Sequence, residues 1–219
     1  MRTLTHRLRA RREDLGLDTR AFASLTALRN PQQIQNFVNA IPANFEADGE
    51  TVRSVQGVLQ HRKAHCIEGA MVAACALWIQ GKPPLLMHLD CAVGDYPHVV
   101  ALFKRGRHWG AVSKSNHAVL RFRDPVYRSL RELAMSYLHE FRDRDGHKTL
   151  RSYSAAYDLR SVAVEAWVTG CESCWTLHDH LAARRHFPLV TSAQARALVD
   201  ADACERKAGL VVDFAPPAI

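Results

Sequence analysis

The chain has no long apolar run, no repeat and no low-complexity tract. Its longest apolar stretch, Ala70 to Ile79, falls well short of the roughly 20 residues that a membrane-crossing helix needs. No membrane partner is expected. The basic start, Met1 to Asp14, is not followed by the apolar segment of about 7–15 residues that an export signal carries. The expected location is the cytoplasm. Six cysteines are spread over 219 residues without dense or regular spacing, so reduced thiols are expected rather than a disulfide framework. Aromatic residues are only 8%, and none interleaves with the basic clusters. The base-stacking platform of a single-strand binder is therefore missing, and nucleic acid is not an expected partner.

What is present is the material of a globular core. Apolar residues make up 47% of the chain and charged residues 23%. One domain over residues 1–219 is expected. It comprises a helical flank (1–50), a central core (51–125) and a second helical flank (126–219). The net charge is +7 and comes mostly from arginine. Arg7, Arg9, Arg11 and Arg12, and again Arg184 with Arg185, read either as a phosphate-binding arm or as solvated helix faces.

Asp18 is placed to cap a helix running through Leu28. Asn30-Pro31 reads as a helix cap followed by proline in the first turn, with Ile34, Phe37, Val38 and Ile41 on one face. Ser54 is placed to cap a short helix through Gln60. Cys66 to Gln80 (CIEGAMVAACALWIQ) is apolar nearly all round, the pattern of a buried helix, and Gly81 with Pro83-Pro84 ends it. The period then changes. Leu85–Leu89, His98–Lys104, His108–Ser113 and Val119–Arg123 read as short strands, with Arg105-Gly106-Arg107 as a tight connection. Helix returns over Tyr127–Phe141, and again through Ala183 after a capping box of Thr169 and Glu172. Ser192 is placed to cap a last helix. Helices, a meander of strands, then helices make an α+β fold with an antiparallel sheet.

Two residues carry the chemistry. Cys66 opens the buried helix, where unpaired backbone N–H groups and the helix dipole favour thiolate and can hold an oxyanion. Taken alone, it reads first as a small buried core cysteine, the commoner fate of a lone cysteine. His98 opens a strand just after the turn Asp95-Tyr96-Pro97. A thiol nucleophile needs such a base to take its proton and return it. Taken alone, His98 is one of twelve histidines.

Together the residues form a more specific pattern over about Val52 to Ser115: Cys66 in HCIEGA, His98 in HVVALFK, Gly106 in the turn and Trp109 in HWGAV. This pattern resembles the transglutaminase-like superfamily, whose core is papain-like. The flanks, including RFRDPVYRSLRELAMSYLHEF, look like its small bacterial members. The resemblance implies a cysteine helix packed on an antiparallel sheet with the histidine across from the thiol. It also implies a pocket beside Trp109, and acyl transfer through a thioester without cofactor or metal. The family's aspartate would orient the imidazole, but that place is Ser113 here. A serine accepts a hydrogen bond from the ring yet holds no charge, so the third member is open among Ser113, then Asn116, then Asp90, with Asp95 also near the histidine strand. Gln60 stands where papain-like enzymes carry an oxyanion glutamine.

Other patterns are set aside. Cys171-Glu172-Ser173-Cys174-Trp175 mimics a papain nucleophile, but too little chain follows to hold its histidine. Cys171 and Cys174 with His178 and His180 have half the spacing of a zinc site, and on a helix Cys174 and His178 are ordinary neighbours. His61, His65 and His88 are scattered and read as satisfied or surface histidines. Three functions compete: a thiol acyl-transfer enzyme acting on a peptide or protein amide, a non-catalytic relative that binds a peptide or protein in the same cleft, and a basic nucleic-acid module.

Overall fold

The computed structural model describes residues 8–47, 49–170 and 173–216. In chain order these form α1 (Arg12–Leu15), α2 (Thr19–Thr26), α3 (Pro31–Ala40), α4 (Val55–His61) and α5 (Cys66–Ile79). Then come β1 (Leu85–Cys91), β2 (His98–Arg105), β3 (His108–Ser113), β4 (Arg123–Tyr127), α6 (Leu130–Met135), β5 (Leu150–Ser154) and β6 (Tyr157–Asp158). Two 3₁₀ turns precede α7 (Trp175–Ala182), β7 (His186–Pro188), α8 (Ser192–Arg196) and α9 (Ala203–Gly209). The class is α+β with a seven-stranded antiparallel sheet in the order β4-β3-β2-β1-β5-β7, and β6 also pairs with β1.

Local chemistry explains the helix ends. The side chains of Asp18, Asn30 and Ser54 accept from Ala21 N, Gln33 N and Gly57 N, each the backbone N–H three residues on. At the far end of α5, Gly81 takes φ of 83°. Its N–H donates to Trp78 O, and Lys82 N donates to Leu77 O, the paired bonds of a Schellman cap. Every residue of α5 from Ile67 to Ile79 is buried. No helix among the described residues is long and apolar enough to cross a membrane.

The sheet is covered on both faces. Leu86, Val99, Ala101, Phe103 and Val112 join the α5 core, whereas Met87, Leu89, Val100, Leu102 and Ala111 join a second core with Leu133, Ala134 and Tyr137. This explains why β1 and β2 read as continuous apolar runs although the sheet is antiparallel. Both edges are short and carry a proline, Pro125 in β4 and Pro188 in β7, which denies a neighbouring chain one ladder donor.

Helix and sheet meet closely at Gly69. A Cβ built there would stand 2.4 Å from Lys114 Cβ and 3.1 Å from Val38 Cγ1. Only glycine lets the first turns of α5 lie against the chain leaving β3. This packing holds Cys66 at the end of the sheet where β2 begins and β3 ends.

Several elements differ from the sequence reading. The segment 126–219 is not helical throughout, since β5, β6 and β7 lie within it. Strand β5 (LRSYS) has no apolar alternation to announce it, and pairing with the exposed side of β1 decides its state. The fourth strand is Arg123–Tyr127 rather than 119–123, and α6 is six residues long, capped by Ser129. Cys174 occupies the N-cap of α7 without a side-chain cap, and Thr191 rather than Ser192 caps α8. Arg7, Cys171 and Glu172 lie outside the described residues. Arg9, Arg11 and Arg12 are exposed, and the guanidinium groups of Arg184 and Arg185 lie over Tyr157 and Phe187 at 4.7 and 4.9 Å.

Candidate active site

Cys66 is the first residue of α5, His98 the first of β2 and Ser113 the last of β3. Cys66 is partly exposed, whereas His98 and Ser113 are buried. His98 Nε2 lies 2.8 Å from Ser113 Oγ. The serine hydroxyl donates its single proton to Leu120 O at 2.5 Å. It must therefore accept from His98, so Nε2 carries a hydrogen and Nδ1 is the ring nitrogen left for the thiol. The serine is itself gripped by Gln35, which accepts from Ser113 N at 2.9 Å and donates to Ser113 O at 2.7 Å. Leu120 adopts φ of 59°, a conformation that costs a non-glycine residue about 1 kcal/mol or more. Its N–H donates to Glu140 Oε2 at 2.9 Å, and Glu140 pairs with Arg123 at 2.7 Å.

Burial alone would push the Cys66 thiol up. Hydrogen bonds from His65 and His98, together with their positive charge, outweigh it and bring the thiol down to about 5. The Cys66 and Ile67 backbone N–H groups have no partner among the described residues, as the first turn of a helix leaves them. They are placed to receive an oxyanion at the sulfur.

His65, the N-cap residue of α5, is the main feature that sequence reasoning missed. Its Nε2 donates to Thr51 O at 2.6 Å, with Glu46 Oε1 at 3.7 Å and Glu68 Oε1 at 3.6 Å. Burial lowers its basicity, but the hydrogen bond and charge of Cys66, then Glu68 and the Thr51 carbonyl, raise it to about 9. Glu68 is fully buried. Its Oε1 accepts from Thr51 Oγ1 and Arg53 N, both at 2.8 Å, and its Oε2 accepts from His65 N at 3.0 Å and Asn44 Nδ2 at 3.3 Å. The signal for Glu68 was an acid three residues beyond a helix cap. His65 offered only its place next to the cysteine.

A cleft of about 770 Å³ opens over Cys66 and His98, with Lys114 and the turn Asp95-Tyr96-Pro97 along its walls. Lys114 Nζ donates to Ile41 O, and burial pushes its amine down to about 8. Asn116 also lines the cleft, but both ends of its amide are bonded to the Phe214 backbone at 3.0 Å. Asp90 accepts from Ser152 on β5 and is not among the cleft residues. Neither is the partner of His98. Gln60 is exposed on α4 and lines a separate groove with Gln56 and Thr169, so it is not placed as an oxyanion donor. Trp109 stands at the other end of β3, half-buried under Lys104 Nζ at 4.0 Å, and packs against the second core rather than lining the cleft. Among the described residues no Cys–His group gathers metal-ligand atoms, and His178 turns to Asp179 at 3.1 Å.

Replacing Ser113 by aspartate places a carboxylate against His98 Nε2. We expect the imidazole titration, followed by NMR of its ring protons, to move up by about one pH unit or more. An unchanged titration would separate Ser113 from His98 in solution. No protein-family model matches the chain, and no curated protein matches it.

Proposed function

We propose that the chain is a thiol-dependent acyl-transfer enzyme with a transglutaminase-like, papain-like core, acting on an amide of a peptide or protein. The observation that carries this reading is the proton arrangement at His98. Ser113 takes Nε2–H, so Nδ1 is free to exchange a proton at the Cys66 sulfur. The Cys66 thiolate attacks the carbonyl carbon, and the oxyanion falls to the first N–H groups of α5. The C–N bond breaks as the His98 imidazolium gives its proton to the leaving amine, and a thioester remains. Water then attacks the thioester while neutral His98 takes its proton. The C–S bond breaks, and acid, thiolate and imidazolium return. The cleft volume lies in the usual range of about 300–1,000 Å³ for ligand sites. A free thiol nucleophile suits a reducing compartment, and we place the protein in the cytoplasm.

The neutral partner of His98 favours a second reading, a non-catalytic domain that binds a peptide or protein in the same cleft. p-Nitrophenyl acetate separates the two. The enzyme releases a burst of nitrophenolate stoichiometric with protein and leaves an acetyl group on the Cys66 peptide. Cys66→Ala abolishes both, and His98→Ala slows the burst by about 10² or more. A wild-type protein with neither burst nor adduct would leave the binding reading standing.

A further inference from the structure

The family pattern puts a carboxylate behind the base histidine. Here His98 has a neutral hydroxyl in that place, and the carboxylates stand behind the other histidine of the site. His65 meets Glu46 and Glu68 within 3.7 Å and gives Nε2–H to Thr51 O. Its remaining nitrogen is left to hydrogen-bond the Cys66 sulfur. Glu46 is itself held in place, with φ of 53° and its carboxylate accepting from Thr51 N at 2.7 Å. Arg53 faces Glu68 from the far side at 3.6 Å. An imidazolium is stabilised by nearby negative charge and by acceptors on both nitrogens. His65 has both, whereas His98 has acceptors but no carboxylate.

Resting on the acyl-transfer reading above, we infer that His65 is the standing counter-charge of the Cys66 thiolate and that His98 alone carries the proton. The two tasks that a single histidine performs in an ordinary Cys–His pair are thus divided. His65 keeps its proton through the whole cycle. His98 cycles between imidazolium and imidazole. The thiolate then survives when His98 loses its proton, because its counter-charge does not leave. Alkylation of Cys66 should stay on a plateau across pH values at which release of an amine leaving group already declines.

The test is the pH profile of Cys66 alkylation by iodoacetamide and by anionic iodoacetate, in a Cys204→Ser background that removes an exposed competing thiol. His65→Asn keeps a favoured helix-cap residue, so α5 retains its start. We expect it to move the alkylation midpoint up by two pH units or more and to reduce the preference for iodoacetate several-fold. His98→Asn also moves the midpoint up, since His98 bonds the sulfur too, but by less than His65→Asn, because the His65 charge and its carboxylates remain. His65→Lys, which restores a cation, should bring the midpoint partly back, an effect that a merely structural role for His65 does not produce. A midpoint that follows His98 and ignores His65 would overturn the inference. If the p-nitrophenyl acetate burst is absent while the midpoint follows His65, the acyl-transfer reading falls and the thiolate pairing stands.

Discussion

Brief exposure to limiting iodoacetamide at pH 7 labels Cys66 ahead of Cys75, Cys91 and Cys174. Burial drives Cys75 up, Cys91 up to about 12 and Cys174 up to about 11, while the two histidines hold Cys66 at about 5. At pH 7 a thiol held at about 11 is ionised to roughly one part in 10⁴, and one held at about 5 is ionised almost fully. The low-pKa sulfur is the weaker nucleophile. With a Brønsted slope of about 0.4–0.5, the gap between the two takes back roughly 10²·⁵ to 10³. Cys66 therefore keeps an advantage of about tenfold or more. Access adds to it, because Cys75 and Cys174 are buried and Cys66 opens to the cleft. Peptide mapping after the pulse reads the order directly. Labelling of Cys174 or Cys171 with Cys66 untouched would remove the electrostatic basis of the site. The same mapping across pH should show Cys66 labelling rise through a midpoint near pH 5, since the thiolate is lost as pH falls through that value.

The largest stability effect is expected at Glu68. Four donors converge on its carboxylate and Arg53 faces it, all around a side chain with no exposed surface. Glu68→Gln keeps the shape but turns one oxygen into an amide nitrogen. Two of the four donors then point at another donor, and the charge facing Arg53 and His65 is gone. Breaking a buried pair from one side costs about 3–5 kcal/mol. For a chain of this size the melting temperature should fall by roughly 10 °C. The urea midpoint should fall with it while the slope stays constant. A loss below about 1 kcal/mol would mean that Asn44, Thr51 and Arg53 do not close over Glu68 in solution. The variant should also weaken His65 as a partner of Cys66, because that carboxylate accepts from His65 N and stands 3.6 Å from its ring.

Much of the fold was legible because local signals agreed with tertiary demands. The helix of Cys66 has no polar face and ends on a glycine, and it is the buried centre of the molecule. His98 follows a turn and opens an apolar run, and it begins β2. The paired runs 98–105 and 108–113 are joined by Gly106-Arg107 and form a hairpin. The strands β5, β6 and β7 were hidden for the opposite reason. They are two to five residues long and partly polar; β1 selects β5 and β6 by offering an unpaired edge, and β5 in turn selects β7.

The sequence by itself determined where Cys66 stands, at the first turn of a buried helix, and which histidine opens the neighbouring strand. Ser113 was reached through the family resemblance, as the residue standing where that pattern carries an aspartate. The tertiary structure decided what each group touches. Asn116, Asp90, Gln60 and Trp109 sit at plausible distances along the chain, yet backbone partners, other strands or another groove occupy them. His65 looked like a scattered histidine, and it gains its charge partners only when the loop through Glu46 and Thr51 folds back onto α5. The physical reason is range. A helix start or a strand parity is set by neighbours a few residues away, whereas a hydrogen bond or ion pair needs atoms within about 3–4 Å, whatever their separation in sequence. Only packing brings a carbonyl from residue 51 and carboxylates from residues 46 and 68 around one imidazole.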